Sequence, residues 1–261
     1  FFKSIKNPTE IKNMKKSHLI DGVALTKFLF WVKKNFKKKK ITEISAQKKL
    51  ENFRKMNAKY RFPSFSTISG TGPNSAIVHY KASNKSNRTL KKGDLYLVDS
   101  GGQYSFGTTD VTRTISLDNK SNLIKEIYTR VLKGHIAVSD YKIKKNSTGS
   151  DVDQNGRKFL KKIKLDYPHG TGHGVGYFLN VHEGPQSFSR NNKVNLKSGM
   201  IMSNEPGYYK EGRFGIRIEN VIYVNKNRFE ELTMAPIEKD LINRKMLNKR
   251  ETSWINKYHT R

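Results

Sequence analysis

The sequence contains no cysteine. Disulfide scaffolds, thiolate nucleophiles, zinc ribbons and cysteine-ligated iron–sulfur clusters are thereby excluded, and any bound metal must be held by histidine and carboxylate. Acidic residues are scarce as well: 22 Asp and Glu stand against 51 Lys and Arg, a formal net charge of +29 over 261 residues. Long apolar runs are missing. The longest, residues 22–32, contains Lys27 and is too short to span a bilayer. The lysines that follow it, Lys33, Lys34 and Lys37 to Lys40, read as the solvated end of a core helix rather than a membrane-surface helix. No apolar run of signal-peptide length follows residues 1–7, so the expectation is a cytoplasmic protein with no membrane partner. The first residue is not methionine, which suggests a piece of a longer protein.

What is present indicates a folded domain. Hydrophobic residues make up 35% and aromatics 11%, too apolar for a disordered chain and too polar for a membrane bundle. The length suits one catalytic-size domain over residues 1–261, with no linker or repeat. Lys and Asn are spread along the whole chain, and the basic residues do not alternate with aromatics as in a single-strand binder. The charge therefore reads as composition, and no specific nucleic-acid partner is expected.

The pattern of elements predicts an α+β fold, with helices on one face of a mostly antiparallel sheet. Asn7-Pro8-Thr9-Glu10 spells a helix start with a capping box, followed by Ile11, Met14, His18, Leu25, Phe28, Leu29, Val32 and Phe36 at helical spacing. Further helices are expected from Ser45 with Leu50 and Phe53 inward, over 122–141 with Leu123, Ile127, Val131 and Val138 inward, and over 151–163 with Phe159 and Leu160 inward. Strands are expected at 77–80, 95–99, 110–115, 175–181, 199–204, 215–224 and 229–233, the second and third forming a hairpin.

In so basic a chain the placement of acids and histidines is informative. Leu95, Leu97 and Asp99 share one strand face, and a carboxylate ending an apolar face needs a partner or a metal. Asp110 opens the next strand. Glu205 follows the strand 199–204 and precedes a turn at Pro206-Gly207, and Glu219 interrupts the β-rich run 216–221 on the same face as Arg217, which could neutralise it. His169 and His173 stand four apart, but Gly170, Gly172, Gly174 and Gly176 forbid the helix of a helical zinc pair, and no Glu follows His169. The glycine spacing also misses the dinucleotide fingerprint; the run more plausibly lets backbone approach a site closely. Taken together, Asp99, Asp110, His173, Glu205 and Glu219 are four carboxylates and one imidazole. Such a hard, oxygen-rich set balances two divalent cations, Mn²⁺ first with Co²⁺ or Zn²⁺ as substitutes. Two such ions can hold a hydroxide near neutral pH and polarise a peptide carbonyl.

These residues carry a family resemblance. The stretches Val98-Asp99-Ser-Gly-Gly-Gln-Tyr104, Gly107-Thr-Thr-Asp110-Val-Thr-Arg113-Thr, His169-Gly-Thr-Gly-His173-Gly-Val-Gly, Asn180-Val-His182-Glu-Gly-Pro185, Asn204-Glu205-Pro-Gly207 and Gly215-Ile-Arg-Ile-Glu219-Asn resemble aminopeptidase P (Xaa-Pro aminopeptidase). More broadly they resemble the pita-bread metallopeptidases. Segments 21–25, 67–80 and the tail 254–259 are also similar, so the resemblance runs along nearly the whole chain. It implies a pita-bread fold and removal of the N-terminal residue from peptides with proline second, by attack of a metal-bridging hydroxide. It implies that Asp99 binds one metal, His173 and Glu205 the other, and that Asp110 and Glu219 bridge both. Glu205, His79 and His182 would handle protons around the scissile bond, the two histidines also touching substrate. His169, Tyr209 and Arg217 would line the proline-side pocket, with Tyr208 the adjacent rival to Tyr209. His18, His135 and His259 are read as structural. Larger family members carry additional N-terminal domains that do not precede Phe1, and a homo-oligomer is compatible with the family. The alternatives are a prolidase-type dipeptidase, a relative acting on a creatine-like molecule, or a catalytically inactive basic module binding nucleic acid or protein.

Overall fold

The computed structural model describes residues 1–261 except Leu179. Helix α1 (Pro8–Asn35) starts where the capping box places it: Asn7 Oδ1 accepts from Glu10 N at 2.9 Å and Glu10 Oε2 accepts from Asn7 N at 2.8 Å. Helices α2 (Glu43–Lys55), α3 (Asn122–Ser139) and α4 (Gly149–Lys161) follow, and α5 (Lys249–His259), beyond the sequence expectations, closes the chain. Two expected helix starts, Ser45 and Asp151, are two residues late for one reason. Each is the third helical residue of a capping box, with Thr42 and Thr148 as the caps. Phe53 and Phe159 are half-buried rather than inward, and Leu123, expected inward, is 54% exposed at the first turn of α3.

All paired strands are antiparallel. In chain order they are β1 (Tyr60–Pro63), β2 (Ile68–Thr71), β3 (Leu95–Ser100), β4 (Gly102–Tyr104), β5 (Gly107–Thr108), β6 (Val111–Ser116), β7 (Gly172–Gly174), β8 (Glu183–Phe188), β9 (Ile201–Asn204), β10 (Gly207–Lys210), β11 (Phe214–Arg217), β12 (Asn220–Asn225) and β13 (Arg228–Glu231). The expected hairpin is β3 with β6, Asp99 opposite Thr112, and β2 flanks β3. The larger sheet runs β13-β12-β9-β7-β8.

The alternation along β3 sorts its neighbours. Tyr96 and Val98 pack with Leu25, Phe28, Leu29 and Val32 of α1 and Leu50 of α2, while Leu95 packs with Ile127, Val131 and Leu132 of α3 and Ile255 and Tyr258 of α5. Asp99, on the Leu95 side, is buried.

Three strand expectations are corrected. Residues 77–80 form a turn after a 3-10 helix at Gly72–Ala76: Tyr80 N donates to Ile77 O, and Tyr80 Oη donates to the buried Glu43 carboxylate at 2.8 Å. This hydrogen bonding overrides the local β propensity. The strand expected at 175–181 lies instead at β7; the described residues of that span are loop, Gly176 N donating to Asn180 O, and Leu179 lies outside the described residues. The run 215–224 is two strands, because Glu219 N leaves the ladder to donate to Thr112 O. Pro206-Gly207 is likewise no turn, since Gly207 already opens β10.

The glycine run serves strand packing. A Cβ on Gly172 would sit 2.0 Å from Ser203 O of β9, and one on Gly174 2.3 Å from Glu183 O of β8. Gly172→Ala must push β7 off β9, and overpacking of this kind costs about 1–3 kcal/mol. Urea unfolding that gives a stability loss of less than about a tenth of that would contradict the close contact.

The buried His18 and His135 are structural, as expected. His18 Nδ1 lies 2.9 Å from Met14 O and His135 Nδ1 3.1 Å from Asn204 O. Burial lowers their pKa values, to about 4 and about 3. The unfolded chain therefore binds protons below pH 6.5 that the folded chain refuses, so these two rings remove stability as pH falls from 6.5 toward 4, each by about 1.4 kcal/mol per pH unit. Urea unfolding at pH 6.5 and 5.5 measures the slope; in a His18→Gln variant it should flatten.

Candidate active site

The antiparallel register opposes Asn204 of β9 to Asn220 of β12, so Glu205 leaves the sheet where Glu219 enters it. The hydrogen bond from Glu219 N to Thr112 O, 3.1 Å, joins that sheet end to β6, and Asp110 stands just before β6. Asp99 lies beside Thr112 on β3, and β7 brings His173 alongside through Ser203 Oγ, which accepts from His173 N at 2.9 Å. The five residues thus converge on one cavity of about 290 Å³, whose lining also includes His79, His169, His182 and Arg217, with Phe65, Ile68 and Val78 as apolar wall.

Asp110, His173 and Glu219 offer ligand atoms that all lie within 4.8 Å of one another and could hold a metal ion. His173 Nε2 is 3.3 Å from Asp110 Oδ2 and 3.6 Å from Glu205 Oε1. Glu205 also accepts from Ser203 Oγ at 3.0 Å, and Glu219 Oε2 from Thr112 Oγ1 at 2.6 Å. Arg217 pairs with Asp99 (Nη2 to Oδ2, 2.6 Å), not with Glu219 as the shared strand face suggested. Its Nη1 donates to Tyr209 Oη at 2.7 Å, and Tyr209 Oη is 2.8 Å from His169 Nε2. Tyr209 rather than Tyr208 stands in that chain; both border the same core, Tyr208 also against Phe214. His182 is exposed and sets its ring edge-on to His173, centroids 4.1 Å apart, while His79 is exposed at the rim.

The electrostatics show an excess of negative charge. Burial, then the neighbouring Asp99 and Glu205, push Asp110 up, with His173 opposing; burial, then Asp110, Glu205 and Asp99, push Glu219 well up. Burial also disfavours charge on Glu205, but His173, His169 and Arg217 outweigh it and keep this carboxyl below its ordinary value. On His173, burial is outweighed by Asp110 and Glu205, which raise it. Asp99 Oδ1 is buried with no hydrogen-bond partner among the described residues. Four carboxylates that repel one another, with an orphaned oxygen and a single imidazole, fit hard divalent cations.

Sequence reasoning missed Thr112, which bonds both Glu219 and Arg217 (Nε to Oγ1, 3.1 Å), and Ser203. Two-residue alternation would have found both, since Thr112 shares a face with Asp110 and Ser203 with Glu205.

The profile of metallopeptidase family M24 matches residues 12–226, and that of the C-terminal region of the same family matches residues 227–261. Xaa-Pro aminopeptidase 1 of Dictyostelium discoideum is 46% identical over 274 residues, covering 98% of this chain and 44% of that protein. An X-prolyl aminopeptidase from Caenorhabditis elegans, described as a cytosolic enzyme with a di-nuclear active site, superposes with a TM-score of 0.95 at 38% identity, over 99% of this chain and 44% of that one. Prolidase from Pyrococcus furiosus gives 0.80 at 29% identity, over 89% and 66%. The chain spans less than half the length of these two aminopeptidase relatives. Its helix-covered antiparallel sheet is the pita-bread arrangement that the motifs implied. With profile matches covering nearly all its residues and a relative this similar along the chain, the protein belongs to metallopeptidase family M24.

Proposed function

We propose that this chain is the catalytic domain of a metal-dependent Xaa-Pro aminopeptidase, which releases the N-terminal residue from peptides with proline in second position. The observation that carries the reading is the convergence of Asp99, Asp110, His173, Glu205 and Glu219 on one cavity that Arg217 and His169 also line, with Tyr209 linking those two from behind. In this reading Asp99 would hold one ion, His173 and Glu205 the other, and Asp110 and Glu219 would serve both. Mn²⁺ suits the oxygen-rich set best, with Co²⁺ or Zn²⁺ as substitutes. Two such ions supply Lewis acidity, acidifying water and polarising a peptide carbonyl.

The chain's own residues do the rest. Glu205, the carboxylate beside His173 in the cavity, is the proton acceptor. His79 and His182 at the cavity mouth pass a proton to the prolyl nitrogen as it leaves. That nitrogen has no N–H in the substrate and its φ is fixed, so the usual backbone recognition is replaced by shape. Arg217, Tyr209 and His169 form the polar wall for the proline side, and Arg217, spent on Asp99 and Tyr209, keeps both oriented.

Greater likeness to the worm aminopeptidase than to the archaeal prolidase supports peptides over dipeptides as substrates. The worm enzyme's description also supports a cytoplasmic setting; no helix among the described residues is long and apolar enough to cross a membrane. Incubation of the Mn²⁺-loaded protein with an Xaa-Pro-Yaa tripeptide and an Xaa-Pro dipeptide tests the reading. Release of Xaa from the tripeptide is expected, and an intact tripeptide beside a cleaved dipeptide would establish the prolidase alternative. The +29 charge takes no part: turnover of a neutral tripeptide should change less than about twofold between low and physiological salt, where exposed charges are screened.

A further inference from the structure

Arg113 on β6 is a fully buried guanidinium whose hydrogen-bond partners among the described residues are all neutral. Nε donates to Pro236 O at 2.9 Å; Nη1 donates to Thr112 O at 2.8 Å and Glu219 O at 2.5 Å; Nη2 donates to Asn220 Oδ1 at 2.8 Å, Ala235 O at 2.7 Å and Tyr258 Oη at 2.9 Å. A buried charge with no carboxylate in direct contact is costly, and a planar fork that satisfies this many acceptors at fixed angles is something lysine cannot imitate. The acceptors come from three stretches of chain: β6, the Glu219-Asn220 junction, and the C-terminal segment with α5. Two of the carbonyls belong to Glu219 itself and to Thr112, whose hydroxyl donates to the Glu219 carboxylate. Tyr258 Oη, also buried, is the hold of α5 on the fork.

We propose that Arg113 is a positioning residue of the metal centre: its fork fixes the main chain of Thr112 and Glu219, and Tyr258 holds the fork, so that docking of α5 sets the aim of the Glu219 carboxylate. The inference rests on the metal-site reading above. It accounts for a guanidinium held in the core by neutral acceptors, with the Glu231 carboxylate reaching it only through Asn220.

Tyr258→Phe removes only the hydroxyl and leaves the ring, stacked on Trp254, in place. Loss of the bond accepted from Arg113, together with the one the hydroxyl donates to Ala235 O at 2.8 Å, predicts Mn²⁺ affinity and kcat each lowered about fivefold, with KM for an Xaa-Pro-Yaa peptide within about twofold of wild type because no substrate contact changes. Arg113→Lys, keeping the charge without the fork, should lower both by about tenfold or more. Combined with Thr112→Val, the Tyr258→Phe effect on Mn²⁺ affinity should be less than additive, since both act through Glu219. The measurements are Mn²⁺ binding isotherms, steady-state kinetics and the Tm of the metal-free protein. A folded Tyr258→Phe with wild-type Mn²⁺ affinity and kcat, changed only in Tm, would reduce Arg113 to a structural role; that variant decides alone where Arg113→Lys does not fold. A wild-type protein that binds no Mn²⁺ would instead overturn the metal-site reading, and the inference with it.

Discussion

Glu219→Gln yields a folded protein that has lost at least one metal ion and about 10³-fold or more of its turnover, the scale of removing a preorganised electrostatic group. Glutamine keeps the size and can keep the 2.6 Å hydrogen bond with Thr112 Oγ1, so packing is spared. What disappears is one of four negative charges and, in the proposed reading, an oxygen that would serve both ions. A half-exposed strand residue would make the same change nearly silent, but Glu219 is only 2% exposed and sits off the ladder between β11 and β12. The stability effect should run opposite to the activity effect. Burial and the nearby Asp110, Glu205 and Asp99 disfavour the charged form of Glu219, so the neutral glutamine relieves repulsion in the metal-free protein, and its Tm should rise. Turnover, bound metal and Tm from one preparation separate these effects. A variant with both ions and wild-type turnover would mean that another group bridges.

Asp21→Ala should be the most destabilising single change on the α1 side of the fold, costing about 3–5 kcal/mol. Asp21 is buried in α1 and accepts from Arg54 Nε at 2.8 Å and Nη2 at 3.1 Å, and from Tyr104 Oη at 2.7 Å. Truncation strands a buried guanidinium and a buried phenol together. Against a typical total of about 5–15 kcal/mol, much of the fold's margin is lost. Asp21→Asn retains an acceptor and should lose less. Arg54 Nη2 also reaches Ser100 Oγ at 3.1 Å, next to Asp99, so the damage extends toward the site. Urea unfolding of the three proteins measures the order; a wild-type midpoint for Asp21→Ala would show that the pair is dispensable.

Asp99, Asp110, Glu205 and Glu219 stood out because acids are rare in this chain and these end, open, follow or interrupt apolar strands, where a charge is conspicuous; His173 stood out only in the motif that carries the family resemblance. The same logic places Leu95 and Leu97 on the face that ends in Asp99. Residues that act through uncharged hydrogen bonds were not legible. Thr112 and Ser203 look like ordinary strand residues unless alternation from Asp110 and Glu205 is followed, and Arg113 looks like one of 51 basic residues until its burial is seen. Local propensity misled where a distant side chain decides the backbone. Glu43 accepts from Thr71 N and Arg88 N at 2.8 and 2.9 Å, as well as from Tyr80 Oη, and so holds residues 77–80, including His79, in a turn. Glycines 172 and 174 pointed to close backbone approach; the partners are neighbouring strands, and the site benefits because His173 stands between them.

Metal analysis of the protein saturated with Mn²⁺ and freed of excess ion tests the central claim most directly. The account predicts two ions per chain, and loss of Xaa-Pro-Yaa hydrolysis when a chelator removes them. At most one ion per chain with full activity would contradict it.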